Sequence, residues 1–232
     1  MNLLTGGIMK MTFHSIFIMT MITCCVDYDK CPRYVQITAF IAPSQIEYHI
    51  GDTIRIISKF HRNVLAFNSG EREIGLVDMA NMEWKPATLI FRTDTLGQAG
   101  ITTIHKYFIF LEDEIYDYQM NIISNDFSLL QGKYNYHNDT FDLQIKLIPL
   151  KTGTYFLRQE STTGQSEIQN FPDKCPGENV DVWVTMNNYQ TINDNNIDLL
   201  TESPDTHFNT WILTNPKTNF YNFGGYCFRV IP

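Results

Sequence analysis

The sequence predicts an all-β chain folded as an antiparallel β-sandwich, with a closed β-barrel as the alternative. Three observations carry this. Apolar residues recur with a period of two, turn-forming residues separate those runs at short intervals, and helical periodicity is scarce. Val35 with Ile37 opens the series, and Ile54 with Ile56 flanks Arg55 after the turn signal Gly51-Asp52. The run from Ile101 to Phe110 adds another strand. The clearest strand is Phe141, Leu143, Ile145 and Leu147 alternating with Asp142, Gln144 and Lys146, one row for a core and one for water. Tyr155 with Leu157, Val180 with Val182 and Val184, and Tyr226 with Phe228 and Val230 complete roughly eight to ten strands. Ala42-Pro43-Ser44, Asn68-Ser69-Gly70, Thr95-Leu96-Gly97, Tyr136-His137-Asn138-Asp139 and Lys151-Thr152-Gly153 supply the turns.

The one helical stretch is Asn196 to Glu202, ahead of Pro204. Strands without intervening helices cannot build parallel crossover units, so antiparallel pairing is favoured. Lys151-Thr152-Gly153-Thr154-Tyr155, after an alternating strand, resembles a tyrosine corner, in which a Tyr hydroxyl bonds back to nearby backbone in immunoglobulin-like sandwiches. The Cys-Trp-Cys framework of antibody domains is absent. With no internal repeat and no linker-like stretch, residues 33–232 form a single domain on this evidence.

Composition narrows the function classes. At 232 residues with 44% hydrophobic and 18% charged side chains, the chain can bury one sizeable core and is neither disordered nor collagen-like. Seventeen Lys and Arg against 25 Asp and Glu give a net charge of −8. That balance excludes a nucleic-acid partner, because phosphate binding needs a basic face to release counterions. Electrostatic adhesion to an anionic membrane is disfavoured for the same reason.

The N-terminus carries the strongest functional signal. Met9-Lys10-Met11-Thr12 followed by Phe13 to Thr23 is a cation and then a short apolar stretch, the order of an export signal. It is too short to span a bilayer, which takes roughly 20 apolar residues. Translation is expected to start at Met9 or Met11. Thr23-Cys24-Cys25 resembles a bacterial lipobox, so residues 1–23 form a lipoprotein-type signal peptide and Cys24 (or Cys25) receives the lipid. Residues 24–32, with Asp27 and Asp29, form an acidic tether. Acylation supplies about 0.8 kcal/mol per buried methylene, so several chains on one Cys anchor stably without an apolar protein segment.

An exported compartment permits disulfides. Cys175 and Cys227 are the candidate pair, with two buried thiols as the alternative; closing their loop of about 50 residues would contribute roughly 3–4 kcal/mol. Catalytic signatures such as G-x-S-x-G, H-E-x-x-H and G-x-x-x-x-G-K are absent, and no catalytic residue, metal or cofactor is expected. Glu47 and His49 share a strand face at a spacing that can hold a metal, and a solvated face is the simpler account. Asp194, Asn196, Asp198 and Asp205 are spaced like a calcium loop without its turning glycine, so ordinary Asn/Asp turn chemistry is preferred. Trp183 stands in the polar row of its strand, for packing in a second layer or for stacking on a sugar or peptide. Glu112-Asp113-Glu114 is expected in a solvated loop, and Asn138-Asp139-Thr140 has no meaning as a sequon in a bacterial lipoprotein.

Gly51-Asp52-Thr53-Ile54-Arg55-Ile56-Ile57-Ser58-Lys59-Phe60, Asn195-Asn196-Ile197-Asp198-Leu199-Leu200 and Phe223-Gly224-Gly225-Tyr226-Cys227-Phe228 are similar to lipoproteins of Bacteroidota, flavobacterial ones especially. That family has no established activity to transfer, and the resemblance implies location only: an outer-membrane lipoprotein, periplasmic or surface-exposed. The expected function is a non-enzymatic binding or structural role, with the membrane as partner through the N-terminal lipid and protein or glycan as ligand. The alternative is an envelope hydrolase acting on glycan or peptide.

Overall fold

A computed structural model describes residues 30–98, 100–163, 171, 179–188 and 194–232. Residues 1–23, expected as a signal peptide, and Cys24, Cys25 and Cys175 lie outside the described residues. In chain order the strands are β1 (Tyr34–Ala42), β2 (Glu47–His49), β3 (Ile54–His61), β4 (Asn63–Phe67), β5 (Glu73–Asp78), β6 (Lys85–Arg92), β7 (Thr102–Thr103) and β8 (Phe108–Leu111). They continue with β9 (Tyr118–Ser124), β10 (Phe127–Gly132), β11 (Asn135–His137), β12 (Thr140–Pro149), β13 (Gly153–Thr162), β14 (Asp181–Met186) and β15 (Gly225–Ile231). One helical turn, α1 (Ile104–Tyr107), breaks the run expected as a single strand into β7 and β8, because Ile104 turns into the core.

The strands form two open sheets facing each other, a sandwich and not a closed barrel. The first follows the order β11-β12-β3-β1-β4-β5, with β14 on β1 and β8 on β12. The second runs β2-β15-β13-β6-β10-β7, with β9 on β10. Three pairings are parallel: β1 with β14, β10 with β7 and β15 with β2. This departs from the purely antiparallel expectation. The strands of the β1·β14 pair are remote in sequence, Tyr34 standing beside Asp181, so the strands between them make the connection and no crossover helix is needed. β11 and β12 join through Asn138 and Asp139, both at positive φ, the conformation of a tight hairpin turn that Asn and Asp tolerate.

Alternation places Phe141, Leu143, Ile145 and Leu147 against Tyr155, Leu157, Tyr226 and Phe228 in the main core between the sheets. The Tyr155 hydroxyl donates to Lys151 O at 2.9 Å, the predicted tyrosine corner. A second core forms on the outer face of the second sheet. There Phe91, Phe156 and Cys227 are covered by Ile197, Leu200, Phe208, Ile212 and Phe220 from three helical segments, Asp194–Glu202, His207–Ile212 and Lys217–Tyr221.

This second core corrects the disulfide expectation. Cys227 stands opposite Phe156, is fully buried as a free thiol, and burial pushes that thiol well up. It is a core residue and not the partner of Cys175. Cys31 is the disulfide-bonded cysteine, its partner outside the described residues. Arg33, two positions after Cys31, accepts the Asp181 N–H at 2.9 Å and donates to Asn179 O, four positions after Cys175. Peptide mapping without reductant is therefore expected to link Cys31 to Cys175 and to leave Cys227 alkylatable only after unfolding. Reducing that link, which closes a loop of over a hundred residues, should cost about 4–5 kcal/mol in the chain-entropy account.

Candidate functional site

The helical cover exists because its sequence is punctuated for turns and supplies a few large apolar anchors. Asn195 and Asn196 take positive φ, and their side-chain amides donate to Met186 O and Cys227 O. These groups and Asp205 do turn work, as the sequence favoured over a calcium loop. In the segment His207–Ile212, Phe208 and Ile212 point down onto Phe91 and Phe156, which leaves His207 and Trp211 on the opposite side, one turn apart. Their rings stack at 4.8 Å with an interplanar angle of 18°. Trp211 is 53% exposed, more than any other aromatic ring among the described residues. Asn219 donates to its carbonyl at 3.0 Å and holds the backbone beneath it.

Asp205 joins this turn to a loop of the second sheet. Its carboxylate accepts the N–H groups of Gly97 and Gln98 at 3.1 and 3.2 Å and that of His207 at 2.9 Å. Ser203 adds a bond to Thr93 O at 2.6 Å. The loop so fixed presents Leu96, 71% exposed, and Asp205 thereby ties two exposed large side chains to one support. At the loop's base Arg92 grips Asp94 through two N–H groups, at 2.6 and 3.2 Å. Burial raises the Asp94 carboxyl, but Arg92 and the Thr154 N–H outweigh it and hold it below the ordinary carboxylate range. A group depressed in the folded state stabilises above its unfolded value and loses that contribution as pH falls through the folded one. Urea midpoints measured below about pH 4 should therefore fall less steeply in Asp94→Asn, at a neutral-pH cost of at most about 1 kcal/mol for so exposed a pair.

Trp183, the ring singled out by the sequence, is a packed residue. It stacks on Tyr34 at 4.3 Å, touches Phe67 at 5.4 Å, and carries the Lys217 ammonium over its ring at 5.8 Å. Lys217 also pairs with Glu71, so an ion pair straps the platform on the outer face of the first sheet. The remaining sequence candidates resolve as structural groups. His49 bonds Pro232 O, and Glu47 faces Arg229 at 3.7 Å. Asp113 accepts from Ile115 N–H and Lys146, and these hold its carboxyl below the ordinary range.

The half of the second sheet left uncovered by the helical segments holds a cleft of about 450 Å³. Cross-strand register sets Glu160, Ala87, Gln131 and Gln119 in one row, with small Ala87 as the floor. Lys85 and Asp117 flank it. Burial pushes the Glu160 carboxyl up against the opposing pull of Arg158, which lies 2.5 Å away and stacks over Phe223 at 4.3 Å.

No protein-family model matches the chain, and no curated protein matches it. Among solved structures the chain is similar to the human F-spondin reeler domain, at 13% identity and a TM-score of 0.32 over 63% of this chain and 90% of that one. A cohesin module from a Clostridium perfringens ATCC13124 family 33 glycoside hydrolase is 11% identical, with a TM-score of 0.30 over 64% of this chain and 97% of that one. The type II cohesin dyad from the adaptor ScaA scaffoldin of Acetivibrio cellulolyticus is 9% identical, with a TM-score of 0.28 over 64% of this chain and 46% of that one. The sandwich rests on the strand pairings of this chain and not on these likenesses.

Proposed function

We propose that this chain is a cell-envelope lipoprotein, tethered by an acylated Cys24 or Cys25, whose sandwich is a non-enzymatic binding module for a neutral glycan received at Trp211. The export-type N-terminus supports the location. The carrying observation for the ligand is the Trp211 ring, backed on one face by His207 and set on a packed support. A rigid exposed indole offers a flat apolar surface to the C–H face of a sugar at little ordering cost. Thr210 and Thr214, near it in the chain, donate their hydroxyls to Asn209 Oδ1 and Thr210 O, which leaves their oxygens as acceptors for sugar hydroxyls. The net charge of −8 disfavours an anionic polysaccharide. Calorimetric titration with chito-, cello- and malto-oligosaccharides is expected to give heat with at least one series, weakened about tenfold or more by Trp211→Ala, a loss of some 1.4 kcal/mol. No heat with any series, or affinity unchanged in Trp211→Ala, would overturn the glycan reading.

A hydrolase is the second reading, and its one supporting observation is the cleft with the raised Glu160 carboxyl. The same oligosaccharides incubated overnight decide it: shortened products abolished by Glu160→Gln would favour hydrolysis over binding.

A further inference from the structure

One end of the sandwich is held close to the expected anchor. Pro32 is buried and the Arg33 N–H donates to Phe67 O at 2.7 Å, so the chain joins the domain at the start of β1. Cys24 lies eight positions before Pro32. Fully extended, that stretch reaches at most about 30 Å. β1 itself rises about 26 Å from Tyr34 to Ala42, so the two ends of the sandwich stand at very different distances from a lipid on Cys24.

The near end carries the side chains of a membrane interface. Cross-strand register sets Tyr34 beside Phe67 and Trp183 beside Gln36. The three rings form one cluster in which Trp183 touches both others, and each ring is partly exposed. Tyr and Trp are favoured at the headgroup level of a bilayer, and Lys and Arg beside them extend to its phosphates. Arg72 stands in the exposed turn after Phe67, Lys217 lies over the Trp183 ring, and Lys30 and Arg33 precede Tyr34. The described carboxylates at this end are Glu71, Glu73 and Asp181, so four cations meet three anions in a chain of net charge −8. The repulsion from an anionic leaflet expected of the whole chain is therefore relieved at this end.

We propose that this end rests on the phospholipid headgroups of the bilayer that holds the anchor, with Tyr34, Phe67 and Trp183 at the interface and β1 pointing away from it. The inference rests on the anchor reading and adds an orientation to it. The lipid supplies attachment, and the aromatic end decides which side of the domain the membrane occupies.

A photoreactive side chain tests the contact in cells exporting the full chain. Ser69, exposed in the turn after Phe67, is the near position. Leu150 is the far one: it is 43% exposed and follows Pro149, whose carbonyl accepts the Gly51 N–H at the end where β1 finishes. Its apolar exposure controls for unspecific adsorption. On irradiation of the membrane fraction, Ser69→benzoylphenylalanine is expected to give a phospholipid adduct severalfold stronger than Leu150→benzoylphenylalanine. A chain that stays in the membrane fraction with no adduct at Ser69, or with equal adducts at the two positions, would overturn the orientation and leave the anchor standing. A chain found only in the soluble fraction would overturn the anchor reading, and this inference with it.

Discussion

Phe156→Ala is expected to destabilise the chain by about 3–5 kcal/mol, the range for truncating a buried phenylalanine. Phe156 is 1% exposed and central to the second core. It stacks on Phe220 at 5.2 Å and on Phe91 at 5.8 Å, and meets Phe208 edge-on at 6.4 Å. Removing it leaves a hole beneath two of the three helical segments, which have short turns and few backbone bonds to sustain them alone. Urea unfolding reads the loss. Limited proteolysis should then cut within 194–221 before it cuts the sheets. A loss under about 1 kcal/mol would mean that the cover does not depend on this core.

Replacing both Cys24 and Cys25 by alanine is expected to abolish incorporation of labelled palmitate and to move the chain from the membrane fraction to the soluble one. On the proposed acylation the effect should be complete, because at about 0.8 kcal/mol per buried methylene a lipid on either Cys would carry the whole attachment. The single replacements identify the acylated residue. Labelling that survives in the double variant would refute the anchor.

Much of the sandwich was legible in local pattern. The alternation of Phe141 to Leu147 specified both its strand and the row facing the core, and Lys151 to Tyr155 specified a corner confirmed at one hydrogen bond. What was not legible depends on partners far away in the chain. The parallel β1·β14 pair joins residues as remote in sequence as Tyr34 and Asp181. Cys227 looked like one more cysteine in an exported strand, until the cover segments placed Phe220 and Leu200 around it. The first of those segments was read as helical from Asn196 to Glu202, and the other two escaped notice because they are rich in Asn and Thr and their anchors Phe208, Ile212 and Phe220 recur too briefly to mark a helix. Trp183 drew attention by its place in a polar row, and the structure gives that row a packed partner. Trp211 lay in a stretch with no recognised strand or helix. Its one available signal was the i, i+4 spacing from His207, opposite the Phe208 and Ile212 pair.

The account turns on which tryptophan meets a ligand. The chain has three, and they occupy different settings: Trp84 is 3% exposed in the main core, Trp183 is stacked under Lys217, and Trp211 is open. Their indole N–H resonances can be followed separately while chito-, cello- and malto-oligosaccharides are added. The account expects the Trp211 signal to shift with saturation while those of Trp84 and Trp183 stay fixed. A shift confined to Trp183, or none at any concentration reached, would contradict it.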